Sequence, residues 1–398
     1  MEDFLTIILG TDAASYTLAR NIYDAYNQKP VVCGAAILIP FYRSSIAEIR
    51  IAENFNSDPD VFVSVLNKVY ADKKNQYKNF VILLPWEHYL RLLYDNIDRL
   101  DFRPILPYPK KELVQKYVIK SNFYERMEEM GVLAPQTYRL NQDNYQSLSL
   151  EGELFMKADD FNLFNVHSIE GKKKGYHLKN RDLALAELGK IYASDFRGDM
   201  LVQPFIHGGD GTEYTVNGYR ASDGAISICL ARALLMDKRP MWVGNYLVLC
   251  DSQREELNRL AAKIIRGLDY YGFFNFDFKI DAETGEIYVF ELNFRLGRSS
   301  YCARLAGVNL PQVAISDLIY NQSKSYKGDK PFNWVVVSPE ASSDMLTAEL
   351  RKVFLQKERM ANTGNAILYD RDSNLRRNLR LKDYLKKMEK EYMTGNKL

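Results

Sequence analysis

Residues 272–300 read GFFNFDFKIDAETGEIYVFELNFRLGRSS, two alternating runs on either side of Asp281-Ala282-Glu283-Thr284-Gly285. Asp, Thr and Gly between alternating apolar segments are turn chemistry, so the stretch is predicted to form a β-hairpin. Side chains alternate faces along a strand. On the first run Phe274, Phe276, Phe278 and Ile280 share one face, and Asn275, Asp277 and Lys279 share the other. On the second, Tyr288, Phe290, Leu292 and Phe294 oppose Val289, Glu291, Asn293 and Arg295. Pairing about Thr284 brings Asp277 opposite the neighbourhood of Glu291. The aromatic faces pack inward, while two acids, an amide and one or two cations collect on the other side. Carboxylates held about 5 Å apart at their β-carbons repel one another unless positive charge lies between them. Mg²⁺ takes one or two carboxylates and fills its remaining positions with water and phosphate oxygens. Arg295, two residues beyond Asn293, presents a fixed fork of donors to a transferring phosphoryl group. A solvated polar face on an ordinary two-layer sheet accounts for the alternation equally well, so residues elsewhere have to decide.

Working outward, the first hundred residues alternate between strand and helix patterns. Phe4 to Leu9 is a buried-strand run ended by Gly10, and Asp12 is placed to cap the following helix, with Tyr16, Ala19, Ile22, Tyr23 and Tyr26 at helical spacing. Val31–Ile39 and Phe80–Leu84 read as further strands and Asp60–Tyr70 as a helix, which predicts a parallel sheet covered by helices. The Gly10-Thr11-Asp12 turn lacks G-x-G-x-x-G and reads as a plain strand-to-helix connection. Pro104, Pro107 and Pro109 mark a boundary. Beyond it, Lys111–Gly131 reads as one helix with a glycine stop, and 153–249 as a region dominated by short strands. Arg254–Leu268 and Leu310–Tyr320 read as helices.

With the flanking segments in view, the ordered features resemble the ATP-grasp superfamily. Asp277, then Glu291-x-Asn293-x-Arg295 and a glycine, is similar to its metal-binding signature. Lys120, preceding "GVLAPQTY", and Lys157, in "LFMKADD", sit where the family has its two phosphate lysines. "LVQPFIHGGDGTEY" is similar to its adenine hinge, with Gln203, the backbone of Pro204 and Ile206, and Asp210 for the ribose. The resemblance implies an α/β fold, α+β in its later subdomains: an ATP-grasp fold behind an N-terminal parallel α/β domain. It also implies boundaries at 1–108 (N-terminal domain), 109–200 and 201–325 (two ATP-grasp subdomains) and 326–398 (C-terminal segment).

Within the superfamily the chain is most similar to ligases that add D-aspartate to peptidoglycan precursors, in "ILGTDAASYTLARNIYDAY", "VGNYLVL" and "FELNFRLGRSSY". By that resemblance ATP and one or two Mg²⁺ ions, with Mn²⁺ as a substitute, drive amide formation. An amino-acid donor is converted to an acyl phosphate, which the lysine amine of a muramyl-pentapeptide acceptor attacks. Asp277, Glu291 and Asn293 would hold metal, Arg295 would meet the phosphoryl group and Arg298 the donor carboxylate. Other implied products are a different amino-acid conjugate or a free dipeptide, and a nucleotide-binding regulator without turnover is the remaining alternative. Two departures stand out. The phosphate-covering loop, Asp160–Gly175, has few small residues at its start, with Lys172–Lys174 reading as a solvated turn. Gln203 replaces the more usual hinge glutamate.

The rest of the chain narrows the classes. Its 398 residues imply several packed units, and 53 Lys plus Arg against 51 Asp plus Glu argue against a surface built to grip nucleic acid. The longest apolar run, Val31–Phe41, is 11 residues, too short to span a bilayer, and no signal peptide is visible behind Met1-Glu2-Asp3. Cys33, Cys229, Cys250 and Cys302 lie far apart with no C-x-x-C pair, as in a reducing cytoplasmic setting. Arg371–Leu398 holds nine Lys/Arg and four Asp/Glu and reads as a solvated basic helix, with an acidic lipid, nucleic acid or anionic substrate as the alternative contact. His88, His167, His177 and His207 form no metal or triad pattern, Lys279 reads as a structural partner for an acid, and Trp86, Trp242 and Trp334 read as packing residues.

Overall fold

The computed structural model describes residues 2–239 and 242–395. Near the N-terminus a four-stranded parallel sheet is built from β1 (Glu2–Leu9), β2 (Val31–Gly34), β3 (Glu48–Ile51) and β4 (Tyr77–Leu83) in the order β3-β2-β1-β4. Its helices are α1 (Ala13–Tyr26), α2 (Pro59–Lys73) and α3 (Glu87–Asn96). Asp12 caps α1 as expected, its side chain accepting the Ser15 N–H at 2.8 Å. The expected strand Val31–Ile39 stops at Gly34, because Pro40 sits in a short 3₁₀ turn, Ile39–Phe41, that carries the chain off the sheet.

The next unit begins with α4 (Lys111–Tyr117) and α5 (Lys120–Glu129) where one helix was expected. The break has a cause: α5 takes its cap from outside, with Ser121 N–H on Asp159 Oδ1 at 2.8 Å and Ser121 Oγ–H on Asp159 Oδ2 at 2.6 Å. The glycine stop holds, since Gly131 has φ +58° just past the helix end. An antiparallel sheet follows, from β5 (Tyr138–Leu140), β6 (Leu154–Ala158), β7 (Tyr176–Leu178) and β8 (Met200–Pro204) in the order β5-β8-β6-β7. The strand-rich region also carries α6 (Phe161–Val166) and α7 (Arg181–Tyr192), each capped by a side chain, Asp160 and Asn180.

The largest sheet holds β9 (Glu213–Arg220), β10 (Ile226–Met236), β11 (Tyr246–Asp251), β12 (Gly272–Ile280), β13 (Ile287–Asn293), β14 (Asn333–Val335) and β15 (Thr363–Gly364). Their order is β13-β12-β9-β10-β11-β14-β15. Helices α8 (Glu255–Gly267), α9 (Tyr301–Leu305) and α10 (Leu310–Tyr320) accompany it, then α11 (Pro339–Asp344), α12 (Ala348–Phe354), α13 (Lys357–Ala361) and α14 (Leu375–Gly395). The expected β12–β13 hairpin is present, and Phe274, Phe276 and Phe278 stack in a buried row with ring centroids 5.8 and 5.5 Å apart. Gly218 lies opposite Phe274, where a β-carbon would come within 2.2 Å of the ring, so the aromatic row needs a glycine beneath it.

One expectation about the hairpin is corrected. Asp277 pairs with Glu291 but Phe278 pairs with Val289, so Phe290 is the extra residue of a β-bulge. Val289 therefore joins the buried face, while Phe290 leaves the aromatic face for the polar one, its ring 5.7 Å from Lys157 Nζ.

The C-terminal segment straps the molecule together. Arg20 on α1 lies 4.4 Å from the ring centroids of both Tyr301 and Tyr369 and donates to the carbonyls of Asn365, Ala366 and Leu368. Fully buried Asp372 accepts from Tyr16 Oη, Ser44 Oγ and Ser45 N–H at 2.7, 2.7 and 2.6 Å, with buried Arg377 at 3.3 Å. The basic segment Arg371–Leu398 is thus anchored through α14, its last three residues lying outside the described ones. No helix is long and apolar enough to cross a membrane among the described residues. Arg377→Ala, which strands the Asp372 charge, is expected to cost about 3–5 kcal/mol of stability, read by urea denaturation. Exposed Arg376→Ala should change it by less than about 0.5 kcal/mol.

Candidate active site

The residues singled out in the hairpin come together as the alternation implied. Asp277 faces Glu291, and Asn275 faces Asn293, across the β12–β13 ladder. Tyr246 on β11 donates its hydroxyl to Asp277 Oδ1 at 2.5 Å. Burial, and then the charge of Glu291, push the Asp277 carboxyl up to about 7. Burial opposes charge on Glu291 too, but Lys120, Lys174 and Lys157 outweigh it and hold that carboxyl at about 2.

Both candidate lysines reach this pair. Lys120, at the start of α5, lies 3.2 Å from Glu291 Oε1. Lys157 on β6 donates to Tyr124 Oη at 2.7 Å, and Tyr124 in turn donates to the Phe290 carbonyl at 2.8 Å. Burial, and then repulsion from Lys120, lower Lys157 to about 7. Asp159, which caps α5 and lies two residues beyond Lys157, ties the two lysine positions to one buried carboxylate.

Of the loop lysines, Lys172 is structural, donating to the carbonyls of Asn165 and His167 at 2.8 and 2.7 Å. Lys173 lies 5.7 Å from the Tyr176 ring. Lys174 departs from the solvated reading, since its charge acts on both Asp277 and Glu291.

The hinge residues lie along the end of β8. Gln203 is buried, donating to Thr137 Oγ1 at 2.7 Å. Phe205 N–H bonds the Glu153 carbonyl at 2.9 Å, while Ile206 N–H has no backbone partner among the described residues. That free donor beside Pro204, which has none, suits the edge of a purine base. Asp210 is already engaged, by Met236 N–H at 2.9 Å and Lys238 at 3.3 Å. Lys279 takes its expected structural place 3.7 Å from Glu213.

At the far end, Arg295 donates to Asn293 Oδ1 at 3.0 Å, and Arg298 to the Tyr246 carbonyl at 2.6 Å. Two residues of the parallel sheet's edge reach the same place. The Trp86 ring lies 5.9 Å from the Arg295 guanidinium and its indole N–H bonds Asp12, and Glu87 is within electrostatic reach of Arg295, Lys120 and Glu291. Trp86 is exposed and faces the site, so the packing expectation fails for it; exposed Trp242 fails it too, whereas Trp334 is buried. Neither Trp86 nor Glu87 carried a sequence signal beyond following a buried strand, the end of a parallel sheet where ligands gather.

Among the described residues no group of three His, Cys, Asp or Glu side chains is placed to hold a metal, and the histidines keep to hydrogen bonds and ring contacts. The donor set is therefore two facing carboxylates and an amide oxygen. Oxygen donors with an unneutralised acid among them fit a hard cation that keeps water and phosphate in its shell.

Residues 242–316, which span this hairpin, match the family model described as carbamoyl-phosphate synthase L chain, ATP binding domain. The D-aspartate ligase of Enterococcus faecium (strain Aus0004) is 28% identical over 400 residues, covering 96% of this chain and 94% of that protein. The chain is an ATP-grasp ligase. Solved structures agree on the ATP-grasp fold. N5-carboxyaminoimidazole synthetase from Staphylococcus aureus, complexed with ADP, superposes with TM-score 0.63 at 16% identity over 88% of this chain and 87% of that one. The biotin carboxylase domain of the Hydrogenobacter thermophilus 2-oxoglutarate carboxylase, with MgADP, does so with TM-score 0.60 at 14% identity over 82% and 72%. In this ATP-grasp ligase, which is ADP-forming, the hairpin acids and both arginines of the large sheet meet Lys120 of α5 and Lys157 of β6, with Trp86 and Glu87 arriving from the parallel sheet.

Because burial is the larger cause and Glu291 the next, Glu291→Gln should bring the Asp277 carboxyl part-way down from about 7. A ¹³C-carboxylate NMR titration of the ligand-free protein checks this. An unmoved pKa would mean that the two acids do not share a field.

Proposed function

We propose that this ATP-grasp ligase couples D-aspartate, through its β-carboxylate, to the lysine amine of a UDP-MurNAc-pentapeptide peptidoglycan precursor. The observation that carries the reading is the end-to-end similarity to a D-aspartate ligase, 96% of this chain against 94% of that protein, with the hairpin acids inside the matched span. A nucleotide-linked acceptor and ATP are cytoplasmic compounds, and four free, buried cysteines agree with a reducing compartment.

A carboxylate is a poor electrophile because it is anionic and lacks a leaving group. Transfer of the γ-phosphoryl group from ATP gives an acyl phosphate and ADP. The acceptor amine then attacks the acyl carbon, the C–O bond to phosphate breaks, and the amine proton is lost to solvent. Lys120 and Lys157 hold the nucleotide phosphates, and the low Lys157 pKa means that phosphate charge completes its protonation. Gln203, Pro204 and Ile206 line the base, and Asp210 reaches the ribose by giving up Lys238. Arg295 meets the phosphoryl group in transfer and Arg298 the donor carboxylate, acting as preorganised positive charge. Asp277, Glu291 and Asn293 are the residues that would hold Mg²⁺, which supplies charge neutralisation across the phosphates. Asn293 turns its oxygen from Arg295 to do so.

Asp277→Asn and Glu291→Gln are each expected to lower kcat by at least about 10²–10³-fold while the protein stays folded, read as Mg²⁺-dependent ADP release alongside circular dichroism. Normal turnover in either variant would remove the metal assignment. The donor is tested with hydroxylamine as surrogate amine across a panel of D- and L-amino acids. Hydroxamate with D-aspartate alone is the expected result, and a different productive amino acid would overturn the donor while keeping the chemistry.

A further inference from the structure

Glu87 opens α3 at the end of β4, on the parallel sheet, and its carboxylate makes no hydrogen bond or ion pair among the described residues. Such isolation is unusual for a half-buried carboxylate set among charges, because an unpaired ionised group gives up part of its hydration for nothing in return. Arg295, Lys120 and Arg91 all lie within its field, yet none closes on it. Across from it, Arg295 has a buried Nε–H without a partner, while its NH2 is spent on Asn293. An unpaired acid and an unpaired guanidinium donor that do not touch each other can both be answered by one group bound between them. The neighbouring acid, Asp12, is not available: one oxygen caps α1 through Ser15 N–H and the other accepts from the Trp86 indole. Arg298 lies three residues beyond Arg295, and it and Asp12 both act on Tyr384 of α14.

With Lys120 on Glu291 at 3.2 Å and Arg91 on Asp160 at 3.5 Å, the charges left for a ligand are two guanidinium groups and the Glu87 carboxylate. An amino dicarboxylate carries the complement, one ammonium and two carboxylates. We propose that Glu87 receives the α-ammonium of the donor amino acid, while Arg295 and Arg298 take its carboxylate ends. The subsite rests on the proposed function only in needing an amino-acid donor. It recognises that donor by its ammonium group, whichever amino acid it is. Burial raises the Glu87 carboxyl above its ordinary range in the empty protein, and an arriving ammonium favours the ionised form that binds it.

The test compares D-aspartate with succinate, which keeps both carboxylates and lacks the amine, in the hydroxamate assay on the full chain. The wild-type protein should prefer aspartate in kcat/KM by at least about 30-fold, since a site built for a charged partner rejects the analogue lacking it. Glu87→Gln keeps the shape and removes the charge, so the preference should fall at least about tenfold, through a raised KM for aspartate and not for ATP. Glu87→Asp should recover part of it. Quenching of Trp86 fluorescence on adding aspartate or succinate gives the same comparison as binding, independent of turnover. Undiminished preference for aspartate in Glu87→Gln would overturn the proposal, and so would a wild-type protein that does not distinguish the two acids. Should another amino acid prove to be the donor, that acid and its desamino analogue replace the pair. The donor named in the proposed function then fails while the role of Glu87 is still decided.

Discussion

Two carboxylates forced face to face on a β-ladder are the constraint around which the rest of this site is arranged. Asp277 and Glu291 are register partners, so the backbone holds them side by side on one face of the ladder. Their repulsion is expressed unequally. Glu291 draws Lys120, Lys174 and Lys157 and stays ionised, while Asp277 has a neutral phenol for company and is pushed towards its acid form. The asymmetry leaves one site of permanent negative charge beside one that gains its charge readily when a cation arrives. The three lysines that answer the pair come from α5, β6 and the loop before β7, so the acids draw three segments of the second sheet's unit onto the hairpin of the large sheet.

That convergence depends on two local devices. Asp159, two residues along from Lys157, spends both its oxygens on Ser121, stopping α4 and starting α5 at Lys120. One buried side chain therefore sets the spacing between Lys120 and Lys157. The bulge at Phe290 is the second device. It puts an aromatic ring on the polar face next to Lys157 and presents the Phe290 carbonyl to Tyr124, so the lysine is walled by the Phe290 ring and the Tyr124 phenol. Desolvation of this kind strengthens each electrostatic contact made inside the cleft.

The hairpin, its turn, the facing of Asp277 and Glu291, and the structural place of Lys279 were all legible in the residues, because strand alternation and turn chemistry are local rules. The strand–helix alternation of the first hundred residues was legible for the same reason. The face of Val289 and Phe290 was not: a bulge adds one residue to a strand without leaving a compositional mark. The split between α4 and α5 also escaped, since its cause lies nearly forty residues away in Asp159. Trp86 and Glu87 were invisible as site residues for a similar reason. They enter only because the parallel sheet ends beside a hairpin two hundred residues further along the chain, and no local pattern encodes that meeting. Lys174 was read as solvated because basic turns usually are, and only its approach to the acids shows otherwise.

The strap through Arg20, Asp372 and Arg377 has a consequence for how the chain reaches its native state. Tyr16 meets its partner 356 residues later, and α1 leaves the burial of its outer face to residues 363–377. During synthesis the parallel sheet can therefore assemble early but stays half-dressed until residues 363–377 have been made. Contacts of such long range slow folding and lengthen the interval in which an apolar face is open to wrong partners. Emergence of this strap from the ribosome is then the event that closes over α1, and a chain cut before residue 363 would keep all its hairpin acids and lysines yet remain an unfinished nascent form.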